Sequence, residues 1–120
     1  MIVKEAFLKE EKQAVATFLQ SSGLKLDDDV DLTLYLEDNS QIIGTISKAG
    51  SIIKDVAISP NYQSENLTGL LVSKMMEKLS EEKIYNYQLF TKPEYELVFG
   101  SLGFKKLVKT KKVVILDSLF

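Results

Sequence analysis

Histidine, cysteine, arginine and tryptophan are all missing from this 120-residue chain, and each absence closes a route. Without cysteine there is no disulfide frame and no thiol nucleophile. Without histidine the commonest acid–base group and the commonest neutral metal ligand are gone, along with any serine–histidine machinery. All 15 basic residues are lysines, so the flat, two-pronged grip of arginine on carboxylate or phosphate is unavailable. No apolar run is long enough to span a bilayer and no signal-peptide pattern opens the chain, so a cytoplasmic location is expected. A net charge of −2 gives no overall pull toward nucleic acid.

What is present describes one globular domain over residues 1–120. Ile2 to Phe7 reads as a short strand. Lys9 to Ser22 reads as a helix with Val15, Phe18 and Leu19 inward beside Ala14, closed by Gly23. Asp27, Asp28 and Asp29 match no calcium-loop spacing and are expected to be a solvated acidic turn, with no metal. Leu32, Leu34 and Leu36 alternate with Thr33 and Tyr35 as in a strand, and Asp38-Asn39-Ser40 and Ala49-Gly50-Ser51 are turns on either side of a second strand. Gly44, inside that strand, marks a bulge or a close backbone approach. Ile84 to Thr91 reads as another strand. Pro93 opens a last helix with Leu97, Val98 and Phe99 inward, Gly103 closes it, and a final hairpin turns at Thr110. The order is strand, helix, three strands, helix, strand, helix, two strands. It gives an α/β (α+β) domain with a mixed, mostly antiparallel sheet flanked by helices.

The stretch from Ile52 to Leu71 carries the functional signal. A branched apolar strand stops at Pro60, a polar turn follows from Asn61 to Asn66, and Leu67, Leu70, Leu71, Met75 and Leu79 fall at helical spacing. A helix beginning this way presents unpartnered N–H groups, which attract anions and above all phosphates. The same pattern also serves as an ordinary strand-to-helix connection.

Two segments, VAISPNYQSENLTGLL and FTKPEYELVFGSLGF, resemble the pyrophosphate loop and closing helix of the GNAT (Gcn5-related) acyltransferases. The family's Gln/Arg-x-x-Gly-x-Gly/Ala pattern falls on Gln63, Asn66 and Thr68, and only Gln63 fits it outright. Within that superfamily, IIKDVAIS, TKPEYELVF and KKVVILDSL are similar to the N-terminal domain of the citrate lyase ligases. The resemblance implies a GNAT fold that binds acetyl-CoA, or the dephospho-CoA-type prosthetic group on the acyl-carrier subunit of citrate lyase. It implies pantetheine lying along Val56, Ala57 and Ile58 like an added strand, and a diphosphate held by the amides of Gln63, Ser64, Glu65, Asn66, Leu67 and Thr68. Asn66 stands where the family prefers glycine, Thr68 adds bulk, and Glu65 brings charge of the ligand's own sign. In that family ATP is used by a second domain with a His-x-Gly-His motif. These 120 residues contain no histidine, so the chain reads as an excised N-terminal domain or a short homologue, and no acetyl-adenylate chemistry is expected of it.

For catalysis, many GNAT members use a carboxylate on the central strand and a tyrosine on the last helix. The aligned helix position is Phe99, which has no proton to give, so Tyr95, one turn earlier, is the substitute acid or a packing residue. Asp55 is the only acid in the central strand: a base or a surface charge. Lys105, Lys106, Lys109, Lys111 and Lys112 either meet an acidic carrier protein or phosphates, or simply guard a sheet edge. Nucleic acid is not an expected partner. A free-standing N-acetyltransferase acting on a small or protein amine, and a non-catalytic interaction domain, are the alternatives.

Overall fold

Two tight turns organise the first half of the chain. Asn39 and Ser40 both take positive φ (50° and 62°) between the paired residues Asp38 and Gln41. That is the mirror-image turn whose twist matches the strands it joins. Gly50, at φ 60°, does the same work between Ala49 and Ile52. The computed structural model describes residues 2–118, excluding the side chains of Ser64 and Glu65. In chain order it contains β1 (Ile2–Glu5), α1 (Lys9–Ser21), β2 (Leu32–Asp38), β3 (Gln41–Ala49), β4 (Ile52–Ile58), α2 (Leu67–Glu81), β5 (Gln88–Thr91), α3 (Glu96–Ser101), β6 (Lys105–Lys109) and β7 (Val114–Asp117). Short 3-10 turns, Pro60–Glu65 and Pro93–Tyr95, precede α2 and α3.

The strands form one sheet in the order β1-β2-β3-β4-β5-β7-β6. Every neighbouring pair is antiparallel except β4 and β5. The expected element order and mixed sheet are both present. The larger core cluster joins Leu71, Met75 and Leu79 of α2 to Leu34, Ile46, Ile53 and Val56 of the sheet. A smaller one joins Val15 and Leu19 of α1 to Tyr35 and Ala57. Glu11 fixes the start of α1: its carboxylate accepts the main-chain N–H groups of Phe7 and Leu8 and, at 2.5 Å, the Tyr35 hydroxyl.

The three helices end alike. In each, an N–H reaches back five residues while the residue before it takes positive φ: Leu24 to Leu19, Ile84 to Leu79, Phe104 to Phe99. Gly23 and Gly103 supply that φ in two cases; Lys83, at 59°, supplies it in the third. Ile84 is thereby tied to the end of α2, so β5 begins at Gln88 and not at Ile84 as the sequence suggested.

Four inward assignments are corrected. Ala14 is exposed on α1, because Val15 and Leu19 set the buried direction. Leu70 is exposed on α2, where Val72 lies closer to the direction shared by Leu71 and Met75. Leu97 is 86% exposed and Val98 lies at the surface. Tyr95 and Phe99, four residues apart and both buried, set the inward face there, which puts Leu97 on the opposite side. Gly44 sits beside the expected bulge, and what crowds it is side chains and not another backbone. Ile43 is the extra residue of a bulge between the pairs Leu36–Gly44 and Glu37–Ile42, and a Cβ at Gly44 would sit 2.9 Å from Ile58 Cδ1 and 3.3 Å from Leu71 Cδ1.

The acidic turn is not merely solvated, since Asp27 and Asp29 hold the Lys54 ammonium at 2.9 and 3.2 Å. Lys48 is a further clamp. Its side chain is 1% exposed, and its Nζ lies 2.6 Å from Asp31 and 2.8 Å from Glu82, tying β3 to the entry of β2 and the end of α2. Burial opposes its charge, but those two carboxylates outweigh the burial and hold its pKa above the usual lysine value. Both carboxylates are half exposed, so the energetic weight rests on the buried lysine stem as much as on the pairs. Lys48→Ala is expected to cost about 2–4 kcal/mol in urea unfolding, and Lys48→Met less than half of that, because it refills the space and strands no buried charge.

Candidate functional site

The opening in the sheet comes from one residue. Asp55 takes φ 54° in the middle of β4. Between the pairs Thr45–Ala57 and Ser47–Lys54, β3 spends one residue and β4 spends two. This is a β-bulge, which bends its strand and re-aims its side chains. Aspartate tolerates the left-handed region better than most residues, and the Thr45 hydroxyl donates to the Asp55 carbonyl at 3.1 Å, pinning the bulge. Ile53 and Val56 both face the larger cluster, so Lys54 and Asp55 share the other side. β4 and β5 pair only at Ile52–Gln88 and Ile53–Leu89; from there to Ile58 and Thr91 no pairing joins them.

A cavity of about 230 Å³ lies in this divergence, lined by Asp55, Val56, Phe90, Thr91, Lys92 and Val113 among others. Asp55 is 8% exposed and Thr91 7%. The Asp55 Oδ2 and Thr91 Oγ1 have no hydrogen-bond partner among the described residues. Burial pushes the Asp55 carboxyl up to about 6, and the charge of Asp27 pushes the same way, against Lys54 and the Asp27 main-chain N–H. A carboxylate in that range accepts a proton readily near neutrality. The surface-charge alternative for Asp55 is therefore excluded by its burial.

Tyr95, 7% exposed, meets β4 at its far end. The Ile58 N–H donates to the Tyr95 hydroxyl at 3.1 Å, and the Gln63 amide nitrogen donates to the Ile58 carbonyl at 3.2 Å. Both main-chain groups of Ile58 are thus held by side chains. Burial raises the Tyr95 pKa, so the hydroxyl keeps its proton at neutral pH. Phe99 is fully buried, edge-on to Phe104 with ring centres 5.7 Å apart, so the position aligned with the family's tyrosine is a packing position here.

The loop between β4 and α2 is more regular than a polar turn. Pro60–Glu65 is a 3-10 segment, and Asn66 then takes the left-handed conformation (φ 56°, ψ 32°) that starts α2. Among the described residues no side chain caps that helix start. The Asn66 side chain lies against Gly69, where a Cβ would be 3.3 Å from Asn66 Oδ1. Leu67 and Thr68 are buried in the first turn, so Thr68 turns inward and away from the helix mouth. The directions of the Ser64 and Glu65 side chains lie outside the described residues.

The structure therefore gathers Ile58, Gln63 and Tyr95 at one end of the opening and places Asp55 with Val56 at the cavity, Asp55 on the side shared with Lys54. Ala57 packs its side chain toward α1 and pairs with Thr45 of β3. Sequence reasoning missed Thr91 and Thr45. Neither has a distinguishing motif; only the bulge at Asp55 makes them matter. No group of three metal-ligating side chains exists among the described residues, and no described helix is long and apolar enough to cross a membrane.

Because the folded Asp55 holds its proton more tightly than an unfolded aspartate, its favourable contribution is present below about pH 4 and is lost as pH rises through about 6. Asp55→Asn is expected to match the wild type near pH 4 and to exceed it by about 2 kcal/mol at pH 7 to 8 in denaturant titrations. A difference that does not change with pH would contradict the burial of a charged carboxylate.

No protein-family profile matches the chain. Among curated proteins it is 30% identical over 102 residues to the citrate (pro-3S)-lyase ligase of Escherichia coli, covering 85% of this chain and 29% of that protein. The ligase of Haemophilus influenzae is 31% identical over 103 residues, covering 85% of this chain and 31% of its own. The chain therefore spans about three-tenths of the length of these relatives. Among solved structures, Escherichia coli ElaA superposes with a TM-score of 0.78 at 12% identity over 98% of this chain and 99% of its own. An acetyltransferase from Streptococcus agalactiae gives 0.78 at 14% identity over 99% and 98%. A GNAT-family acetyltransferase from Staphylococcus aureus gives 0.73 at 13% identity over 97% and 98%. The sheet splayed between β4 and β5, with α2 following it, is thus the GNAT acyl-CoA N-acyltransferase fold, on a chain similar in sequence to part of the citrate lyase ligases.

Proposed function

We propose that this chain is a GNAT-type domain that binds a CoA-type ligand between β4 and β5 and works as part of a citrate lyase ligase. There it would receive the dephospho-CoA-like arm of the acyl-carrier subunit. The observation that carries the reading is the divergence of β4 from β5 after only two paired residues, directly before a helix whose N-cap residue, Asn66, makes no capping side-chain hydrogen bond. Such a gap offers main-chain groups to an extended amide-bearing arm, by the geometry of strand addition. The helix start offers amide hydrogens to a diphosphate.

The residues present fit this ligand with one adjustment. Val56, Ala57 and Ile58 would flank the pantetheine arm, and the amides of Gln63, Ser64, Glu65, Asn66, Leu67 and Thr68 would meet the diphosphate. The Tyr95 hydroxyl and the Gln63 side chain would have to yield the Ile58 N–H and carbonyl to the arm. Such a ligand brings a thiol or thioester to the opening. Asp55 would hold or take a proton on that side of β4, and Tyr95 would donate one at the other end.

Titration calorimetry with dephospho-CoA, CoA and acetyl-CoA tests the reading. Saturable binding of dephospho-CoA at least as tight as CoA, with no thiol release from acetyl-CoA in a panel of amines, is the expected result. Turnover with an amine would favour a free-standing acetyltransferase, and no heat with any of the three would leave a non-catalytic interaction domain. Asn66→Gly is expected to tighten binding about threefold to fivefold, because it removes the side chain lying on the first turn of α2 and lets a diphosphate approach the amides there more closely.

A further inference from the structure

Charge on this molecule is sharply divided. Residues 105–112 carry five of the 15 lysines and no acid, while the other 112 residues carry ten lysines against 17 acids, a balance of −7. The lysines lie on β6 and on the turn into β7, at the edge of the sheet. All five residues of β6 are exposed. Glu96 of α3 pairs with Lys106 at 3.7 Å and Lys109 at 2.9 Å. Lys105, Lys111 and Lys112 have no ion pair among the described residues.

Edge protection explains lysines on an outer strand, but it does not explain the apolar side chains among them. Leu107 is 48% exposed, Val108 52% and Val113 39%. The bulge between Lys106 and Val108 leaves Leu107 outside the pairing with β7. Leu97, the most exposed large apolar side chain of the described residues, directly follows Glu96, the partner of two of these lysines. Exposed aliphatic side chains interspersed with lysines, three of them without an ion pair among the described residues, suit an interface with an apolar centre and a charged rim. Lys112 and Val113 also line the cavity that holds Asp55.

We infer that the β6–β7 hairpin is a docking surface for an acidic protein, placed so that a group extending from that protein enters the Asp55 cavity past Lys112 and Val113. Docking stands on the hairpin alone; entry into the cavity rests on the proposed function. A nucleic-acid face of this kind would use arginine and stacking aromatics, and the chain has no arginine and the hairpin no aromatic residue. An anionic membrane would repel the −7 remainder of the molecule. Two copies meeting hairpin to hairpin would set like charges opposite each other.

The probe is a labelled synthetic helix of about 20 residues with glutamates flanking a leucine stripe, titrated with the full chain by fluorescence anisotropy at ~25 and ~250 mM salt. Binding that weakens about tenfold or more with salt is expected, as is binding at least about fivefold tighter than a poly-glutamate peptide of equal charge. Lys105→Glu with Lys111→Glu should weaken the probe at least about tenfold, and Leu107→Ser with Val108→Ser should weaken it about fivefold. CoA titration of the lysine variant should stay within about twofold of wild type, since neither lysine lies at the cavity or the β4–α2 loop. The inference is overturned if the variants bind the probe like wild type, if poly(U) RNA or phosphatidylserine vesicles bind tighter than the peptide, or if sedimentation shows the hairpin engaged by a second copy. Failure of CoA to bind any form, with the peptide still bound, removes the proposed function and leaves the docking surface intact.

Discussion

A single left-handed residue in β4 sets the shape of the opening in this sheet. A regular strand through Lys54, Asp55 and Val56 would keep the alternation of faces and allow β4 and β5 to pair along their length. The extra residue at Asp55 breaks both. It turns Lys54 and Asp55 to the same side, buries a carboxylate there, and ends the parallel pairing after Ile53. The sheet tolerates this because the Thr45 hydroxyl takes up the Asp55 carbonyl and because Val56 still reaches the α2 core. The cost is a carboxylate whose ionised form is disfavoured, an arrangement that recurs where proteins do chemistry.

The other end of the opening shows the complementary device. Main-chain groups facing a gap must be satisfied or solvated, and here Tyr95 and Gln63 satisfy those of Ile58. Both side chains come from the neighbouring 3-10 segments, which are short and stabilised locally. A ligand that brings its own amides can exchange with them at small net cost, since one hydrogen bond replaces another. This gives Tyr95 a structural duty that is independent of any proton transfer.

Much of this was legible from residue pattern. Asn39-Ser40 and Gly50 announced the hairpins, Gly23 and Gly103 the ends of two helices, and Pro60 the end of the central strand. Gly44 announced a bulge, which lies beside it at Ile43. The misreadings share a cause: local signals that tertiary structure overrode. Lys83 ends α2 in a conformation usually marked by glycine, so the start of β5 was placed too early. Leu97 and Val98 looked like core because the phase of so short a helix is set by Tyr95 and Phe99, not by its most apolar residues. The Asp55 bulge had no signal beyond an acid inside an apolar strand, and so Thr91 and Thr45 stayed invisible.

The account stands on β4 being open to an extended ligand from Val56 to Ile58. The most direct measurement is the amide spectrum of the labelled domain during titration with dephospho-CoA. The account predicts shifts concentrated at Val56, Ala57 and Ile58 and along Gln63 to Thr68, with the Ile58 amide changing partner as the Tyr95 hydroxyl leaves it. Shifts confined to residues outside these two segments, or an Ile58 amide unmoved at saturation, would contradict it.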